Sequence, residues 1–412
     1  MKIAVIGLGY VGFPLLLELS KYFKVSGFDI NKRRILDLKN GIDRTKEIKT
    51  KLLKRNNISY TYNFSDLTRC DVFIICVPTP VKKKKPDISM LLNATKLVSQ
   101  RLKKGDLVIY ESTVYPGLTR EKCNPILEKY SGLKLNKDFI IGYSPERINP
   151  GKNSKKISSI KKVISGSNQK ALNKVESIYK KIIKAGLFKA SSIEVAEAAK
   201  IIENTQRDIN IALMNEFSQI LNKMNISSKE VLEAAASKWN FIKFQPGLVG
   251  GHCIGVDPYY LAHKSKKLGI NPKVILAGRN INDNMKFYII EYLRKNLKNI
   301  KKKSILILGS TFKEDCPDFR NSQIMQMSYK LIKYVNNLYV YDQYFVENKV
   351  DKKIVFSNKL SKQRKFDAVI IAVPHDYIKK FSLKKIKSLI KKNGLILDLK
   401  SIFNKEEVNF QL

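Results

Sequence analysis

The chemistry-bearing residues of this 412-residue chain fall in four places. The sharpest is the loop 247–258, GLVGGHCIGVDP, in which one cysteine, Cys253, stands among four glycines with Asp257 four residues on. Most lone cysteines are small core hydrophobes, but glycine flanking removes the bulky partners a core needs, so Cys253 reads as an accessible nucleophile. A zinc site from His252, Cys253 and Asp257 is the poorer alternative, because neighbouring ligands rarely converge on one ion and the usual spaced Cys/His sets are missing; no metal is expected. The second place is Gly7-Leu8-Gly9-Tyr10-Val11-Gly12, a GxGxxG between an apolar strand and a helix. Such glycines make a tight turn, admit a pyrophosphate to the backbone amides and pack helix on strand. Asp29 ends the next strand, where a carboxylate hydrogen-bonds a ribose diol; it favours NAD over NADP, although Lys32, Arg33 and Arg34 keep NADP open. A glycine-rich turn without ligand is the bland alternative. Third, Lys200 and Asn204 share a helix face, with an exposed salt-bridged stripe through Glu197 and Asp208 as the competing reading. Fourth, Glu146-Arg147 and Ser112-Thr113-Val114 follow strands, at the edge where open α/β sheets bind ligands.

The elements that must hold these residues follow from apolar periodicity. Strands are expected at Lys2–Ile6 and Lys24–Phe28 and at 72–77, 107–110 and 139–143, alternating with helical stretches after Pro14 and over 90–102. That alternation predicts a doubly wound parallel sheet. From 193 to about 223 apolar residues recur every three or four positions without Gly or Pro, predicting one helix about 45 Å long. Helices at 228–237 and 272–296 flank the cysteine loop. A third section echoes the first: KSILILG matches KIAVIGLG, LYVYD ending at Asp342 matches VSGFD ending at Asp29, and FDAVIIAVP matches CDVFIICVP. The expected fold is therefore α/β, two Rossmann-like doubly wound domains joined by a long-helix middle, with boundaries 1–190, 191–298 and 299–412. The second copy keeps only Gly309 of the glycine triplet. A different nucleotide ligand, held through Lys313 and Arg320, fits it better than a dinucleotide; a mere fold duplicate is the alternative.

An apolar share of 44% suits a globular chain of two to three domains, and no run approaches a membrane span. A strand at the very start leaves no room for a targeting segment, and five cysteines without framework spacing read as reduced and intracellular, hence a cytoplasmic expectation with no membrane partner. The charge is +41, from 77 basic and 36 acidic residues. Its lysines are dispersed among Ile and Asn, as AT-rich codons would write them. Without a helix-turn-helix or an aromatic stacking platform they make a weak nucleic-acid signature. A non-catalytic basic NAD- or nucleic-acid-binding protein is the remote alternative.

Together GLGYVG, CVPTP, STVYPG, YSPER, AEAAKIIENT, GGHCIGVDP and TFKEDCPDFRNS resemble the UDP-glucose/GDP-mannose 6-dehydrogenase family, in its domain order and over nearly the whole chain. The SPERINPG, WNF and GGHCIGVDPYYL forms look most like its bacterial UDP-N-acetylglucosamine/galactosamine 6-dehydrogenases, which serve surface polysaccharide synthesis; UDP-glucose is the alternative substrate. The resemblance implies a four-electron oxidation of the sugar C6 alcohol with two NAD+. Cys253 would form a thiohemiacetal and then a thioester. Lys200 and Asn204 would stabilise the oxyanion, Asp257 would hold or activate water, and Glu146, assisted by Thr113, would act as general base in hydrolysis. Arg147, Gly250, Phe312 and Lys313 would contact the UDP-sugar. Gly7, Gly9, Tyr10, Val11, Gly12, Asp29, Arg34, Thr79, Thr113 and Arg320 would line the cofactor. A homodimer through the central helix is also implied. Two departures stand out: Pro150 replaces a second carboxylate after Glu146, and Ser237-Lys238 stands where some members lend an arginine across subunits.

Overall fold

A computed structural model describes residues 1–43, 56–67, 70–146, 156–351, 353–361 and 363–412; Arg147 and Pro150 lie outside the described residues. Two compact units emerge: Met1–Glu203 with Tyr259–Asn271, and Asn204–Pro258 with Pro272–Leu412.

The first unit is built on β1 (Lys2–Ile6), β2 (Lys24–Phe28), β3 (Ile58–Thr61) and β4 (Val72–Ile75), a two-stranded hairpin β5 (Val81–Lys82) and β6 (Lys85–Pro86), then β7 (Leu107–Tyr110), β8 (Ile140–Tyr143), β9 (Lys162–Gly166) and β10 (Leu187–Lys189). Its main sheet runs β3-β2-β1-β4-β7-β8-β9-β10. All pairings in it are parallel except β8 with β9. The first six strands thus follow the doubly wound order, with the crossover reversing between β1 and β4. Strands β4, β7 and β8 are buried at every position, as expected when helices cover both faces. Ile3, Val5, Ile74 and Ile109 meet Leu16, Val175 and Ile178 from the flanking helices Gly12–Leu19 and Gln169–Ile182. Each such aliphatic side chain contributes about 1.5–3 kcal/mol by leaving water.

The second unit repeats the plan with β11 (Ser304–Leu308), β12 (Asn337–Tyr341), β13 (Lys349–Asp351), β14 (Ile354–Ser357), β15 (Phe366–Ile371), β16 (Ile390–Asp398) and β17 (Phe410–Gln411), ordered β13-β14-β12-β11-β15-β16-β17. Only the edge pair β13–β14 is antiparallel. Alternate residues of β11 face opposite cores. Ile305 and Ile307 pack toward Met285 and Ile289 of the helix Lys273–Asn296, whereas Leu306 and Leu308 join Val369, Ile378 and Ile386.

The repeat seen in the sequence recurs in the hydrogen bonds. The amide of Lys2 donates to Asp71 at 2.7 Å, and that of Ser304 to Asp367 at 2.9 Å, so each central strand starts clamped to the aspartate beside its neighbour. The long helix spans Ile193–Lys223 as expected, 31 residues that begin in the first unit and continue in the second. Strands β3, β5, β6, β9, β10, β13, β14, β16 and β17, and helices including Asn124–Ser131, Gln169–Ile182 and Asp257–Lys267, were not anticipated from periodicity. Among the described residues no helix is long and apolar enough to cross a membrane.

Candidate active site

The glycines of the first turn have distinct physical reasons. Gly7 sits at φ +93°, and a Cβ there would lie 2.8 Å from the Cys76 carbonyl oxygen. At Gly12 a Cβ would meet the Gly7 carbonyl oxygen at 1.9 Å, so that glycine exists for helix–strand packing. A Cβ on Gly9 meets nothing within 4 Å; the backbone there borders open space, as a phosphate-binding turn requires. Asp29 accepts from the amides of Leu8 and Asn31, both at 2.9 Å, and stays partly exposed beside the turn. Arg34 packs over the Phe13 ring, donates from Nε to the Leu8 carbonyl at 3.0 Å and pairs with Asp43 at 2.8 Å. It buttresses the turn carrying Tyr10 and Val11. These groups fit a dinucleotide: an open glycine backbone, a half-exposed carboxylate at the end of β2 and a helix N-terminus.

The loops after β4 and β7 are stapled together. Thr79 Oγ1 donates to the Thr113 carbonyl at 2.7 Å, and Ser112 Oγ to the Val77 carbonyl at 2.7 Å. Tyr260, on the helix Asp257–Lys267, donates to the Thr79 carbonyl at 2.9 Å. Glu146 follows β8 on the same sheet edge; its carbonyl accepts the Lys200 ammonium at 2.6 Å.

The shared face of the long helix is buried, which overturns the exposed-stripe alternative. Glu197, Asn204 and Asp208 have no exposed surface, and Lys200 is 7% exposed. Glu197 accepts the amides of Gly117 (2.5 Å) and Thr119 (3.0 Å), holding the STVYPG loop. Burial nevertheless pushes its carboxyl up to about 7, against the lowering effect of those donors. Asp208 pairs with Arg279 at 2.6 Å.

In the second unit Asn204 donates to the buried Asp257 carboxylate at 2.5 Å. Asp257 opens its helix, its amide and that of Val256 both bonded to the Cys253 carbonyl. Cys253 is exposed, while Cys70, Cys76, Cys123 and Cys316 are buried. The neighbouring glycines, however, do not leave open space as the sequence suggested. A Cβ on Gly251 would lie 2.6 Å from the Phe312 ring, and one on Gly250 2.9 Å from the Asn321 carbonyl oxygen. They let the loop lie flush against the segment after β11, with the side chains of His252 and Cys253 exposed. His252 turns to Asp318 at 3.2 Å, away from a metal-type arrangement with Cys253 and Asp257. Among the described residues no cluster of three His, Cys, Asp or Glu side chains suits a metal ion. Arg320 grips the same Asp318 through Nε and a terminal nitrogen. Burial raises the Asp318 carboxyl, but the hydrogen bonds from His252 and Arg320 win and hold it well below the usual range.

Over the C-terminal ends of β11 and β15 lies a cavity of about 100 Å3, lined by Thr311, Phe312, Lys313, Gln323, Val373 and Lys400. This is the switch point of the second sheet, where such folds bind nucleotides. A larger cavity of about 310 Å3, bordered by Lys229, Phe241, Lys243, Phe244, Pro246 and Lys400, adjoins it. Lys400 lines both, with its ammonium 2.8 Å from where a Gly247 Cβ would stand. The sequence reading missed Lys400, which sits just past β16 with no motif around it. It also missed Asn215, whose amide brackets Gly247 by donating to its carbonyl (3.0 Å) and accepting from its amide (2.7 Å).

Residues 1–183 match the NAD binding domain of the UDP-glucose/GDP-mannose dehydrogenase family, 194–284 its central domain, and 306–405 its UDP binding domain. The chain is 47% identical to UDP-N-acetyl-D-glucosamine 6-dehydrogenase of Pseudomonas aeruginosa, covering 100% of this chain and 99% of that one. It is 49% identical to protein CapL of Staphylococcus aureus, covering 99% and 97%. In three dimensions it resembles the UDP-D-ManNAc dehydrogenase of Pyrococcus horikoshii, with a TM-score of 0.90 at 31% identity over 100% of this chain and 98% of that one. The open glycine turn, the exposed thiol beside a paired aspartate and the second nucleotide cavity thus lie in a chain that belongs to the UDP-glucose/GDP-mannose dehydrogenase family.

Proposed function

We propose that this chain oxidises the C6 hydroxyl of a UDP-N-acetylhexosamine, UDP-GlcNAc or UDP-GalNAc, to the uronic acid, for surface polysaccharide synthesis. The observation that carries the chemistry is the exposed Cys253 beside Asp257, whose carboxylate is fixed by Asn204. The substrate class rests on likeness to the Pseudomonas aeruginosa enzyme. The three-part organisation 1–190, 191–298 and 299–412 goes with this reading.

NAD, when bound, supplies the hydride acceptor, twice per sugar. Gly7, Gly9 and Gly12 would admit its pyrophosphate, with Tyr10 and Val11 on the same turn and Asp29 on its ribose. Thr79 and Thr113 would line the nicotinamide side, and Arg34 and Arg320 would serve its adenosine and phosphate ends. Gly250, Phe312 and Lys313, joined by Lys400, would hold the UDP moiety, with Arg147 toward the sugar. The Cys253 sulfur adds to the C6 aldehyde carbon, giving a thiohemiacetal; loss of a hydride from that carbon and of the hydroxyl proton, two electrons and two protons in all, gives the thioester. Lys200 and Asn204 stabilise the oxyanion of each tetrahedral stage. Water, deprotonated by Glu146 with Asp257 holding it, attacks the thioester carbon, and the thiolate leaves. We place the enzyme in the cytoplasm, where nucleotide sugars and NAD are available. A homodimer also fits: Ile202, Leu213, Phe217 and Ile220 are 38–55% exposed and fall within about 60° of arc on the long helix, an apolar stripe suited to a second copy.

The test is a panel of UDP-GlcNAc, UDP-GalNAc and UDP-glucose with NADH counted per sugar consumed. Two NADH from an N-acetylhexosamine is expected, and Cys253→Ser should abolish acid formation. Turnover of UDP-glucose alone overturns the substrate, and ready acid formation by the serine variant overturns the covalent route.

A further inference from the structure

Behind Glu146 lies a cluster of buried charged groups that the mechanism above does not use. Glu111, the first residue after β7, is 1% exposed. One of its oxygens accepts the Tyr179 hydroxyl, and the other lies 3.0 Å from the Lys162 ammonium. Lys162 opens β9, is 6% exposed, and stands over the Tyr179 ring at 5.0 Å. The same ammonium donates to the Pro145 carbonyl at 3.3 Å and sits 3.9 Å from the Glu146 carboxylate. A cavity of about 10 Å3 between Glu146, Lys161, Lys162 and Ile183 leaves space for about one water.

A buried ammonium is retained only with partners, and Lys162 has two carboxylates competing for it. Glu111, anchored by Tyr179, takes the short contact. Glu146 is left at ion-pair distance, attracted by Lys162 without being its hydrogen-bonding partner. Lys200 meanwhile fixes the Glu146 carbonyl. Lys162 thus bonds the backbone before Glu146 and lies at ion-pair distance from its carboxylate. The position of that cation is in turn set by Glu111.

We propose that Glu111, Lys162 and Tyr179 are positioning residues for Glu146, aligning its carboxylate for thioester hydrolysis. The inference rests on the general-base role proposed for Glu146. Burial pushes the Glu111 carboxyl up, against the opposing pull of Lys162. Lys162 stays charged: burial lowers it, but Glu111 and Glu146 raise it further. Among the described residues, the other groups facing the cluster include Lys161, Lys200 and the thiol of Cys76, which burial pushes well up.

The experiment uses full-length enzyme with UDP-N-acetylglucosamine and NAD+, following the NADH burst, steady-state kcat across pH, and any adduct on Cys253 by mass spectrometry. Lys162→Met removes a cation from beside Glu146. Steady-state kcat should fall about 10- to 100-fold with the burst retained and acyl-enzyme accumulating, and the acid limb of kcat should move up by about one pH unit. Glu111→Gln releases Lys162 toward Glu146 and removes a negative neighbour, so that limb should move down. Lys162→Arg should restore most of the rate. Tyr179→Phe, one oxygen smaller, should shift the limb in the Glu111→Gln direction by less, and it serves if the charge variants do not fold. Unmoved acid limbs, or burst and steady state lost in parallel in folded protein, overturn the proposal. Glu146→Gln separates the two readings. If it hydrolyses normally the base assignment fails. If it stalls as acyl-enzyme while the cluster variants leave the pH profile unchanged, only the positioning role fails.

Discussion

The two doubly wound units start from one hydrogen-bonding plan and diverge at a single corner. In the first, the amide of Gly7 bonds to Phe28, Leu8 and Asn31 donate to Asp29, and Cys76 bonds back to Ile6. In the second, Gly309 bonds to Tyr341, Ser310 and Tyr344 donate to Asp342, and Ala372 bonds back to Leu308. Even the steric reason for the first glycine recurs, since a Cβ on Gly309 would lie 2.1 Å from the Val373 carbonyl oxygen. The difference is what stands over the aspartate. Three residues after Cys76 comes Thr79, a small side chain turned to Thr113. Three residues after Ala372 comes His375, fully buried, whose Nε2 meets Asp342 at 3.3 Å while Nδ1 accepts the Asp315 amide at 2.9 Å. Tyr377 stacks on that imidazole and donates to Asp342 at 3.1 Å. The carboxylate that the first unit leaves partly exposed is, in the second, consumed by the protein itself. The second unit repeats the fold with this corner closed by His375 and Tyr377, while a separate cavity lies beside Lys313 and Lys400.

The contrast breaks if the two aspartates behave alike. Asp342→Asn sets an amide nitrogen among donors that need an acceptor, in a site without exposed surface, and should destabilise the second unit by about 3–5 kcal/mol. Asp29→Asn keeps an acceptor at a half-exposed site. It should cost under about 1 kcal/mol of stability and register instead as a raised KM for NAD+. Denaturant melts of both variants beside NAD+ titrations decide the matter; equal stability losses would dissolve the distinction.

The glycines sharpen it at a smaller scale. Gly9→Ala meets no neighbour, so its melting midpoint should stay within about 2 °C of the parent while KM for NAD+ rises about 10- to 100-fold. Gly12→Ala and Gly309→Ala, whose methyls would strike carbonyl oxygens at 1.9 and 2.1 Å, should unfold several degrees earlier. A Gly9 variant that lost stability without losing cofactor affinity would make the turn merely structural.

Much of this contrast was legible in the residues, and the reasons are physical. A parallel strand buried on both faces writes itself as an apolar run, so Val72–Ile75 and Leu107–Tyr110 stood out. Period 3.6 without Gly or Pro marked both ends of the 31-residue helix. Strands β13 and β17, three and two residues long, carry too little pattern to register. Spacing also placed Lys200 and Asn204 on one face, but burial of that face depends on partners 50 to 80 residues away, Glu146, Gly117 and Asp257 among them. His375 and Lys162 gave no local signal at all. Their importance comes from which carboxylates the folded sheets bring to them, which no window of sequence contains.

The smallest effect separates the units by pH. Glu197 in the first unit is raised to about 7 by burial, above the ordinary glutamate value near 4.5. The folded state therefore binds more protons than the unfolded chain between those values. Its contribution is fully present below about pH 4.5 and is lost as pH climbs through 7, with a slope of at most about 1.4 kcal/mol per pH unit. Asp342 in the second unit has the opposite sign. Burial raises its carboxyl, but His375 and the amides of Tyr344 and Ser310 bring it below the ordinary 3.8, so its contribution holds above that value and is lost as pH falls through the lowered one. Native-state hydrogen exchange resolves the units separately. Amides of the Gly117–Thr119 loop and the adjoining helix should lose protection from pH 4.5 to 7 beyond the intrinsic rate change, while those around Ser310 and Tyr344 should not. Glu197→Gln, which keeps an oxygen for the two amides and cannot titrate, should flatten the first trend and leave the second untouched. If both units lost protection together across that window, the opposed linkage assigned to these two carboxyls would be wrong.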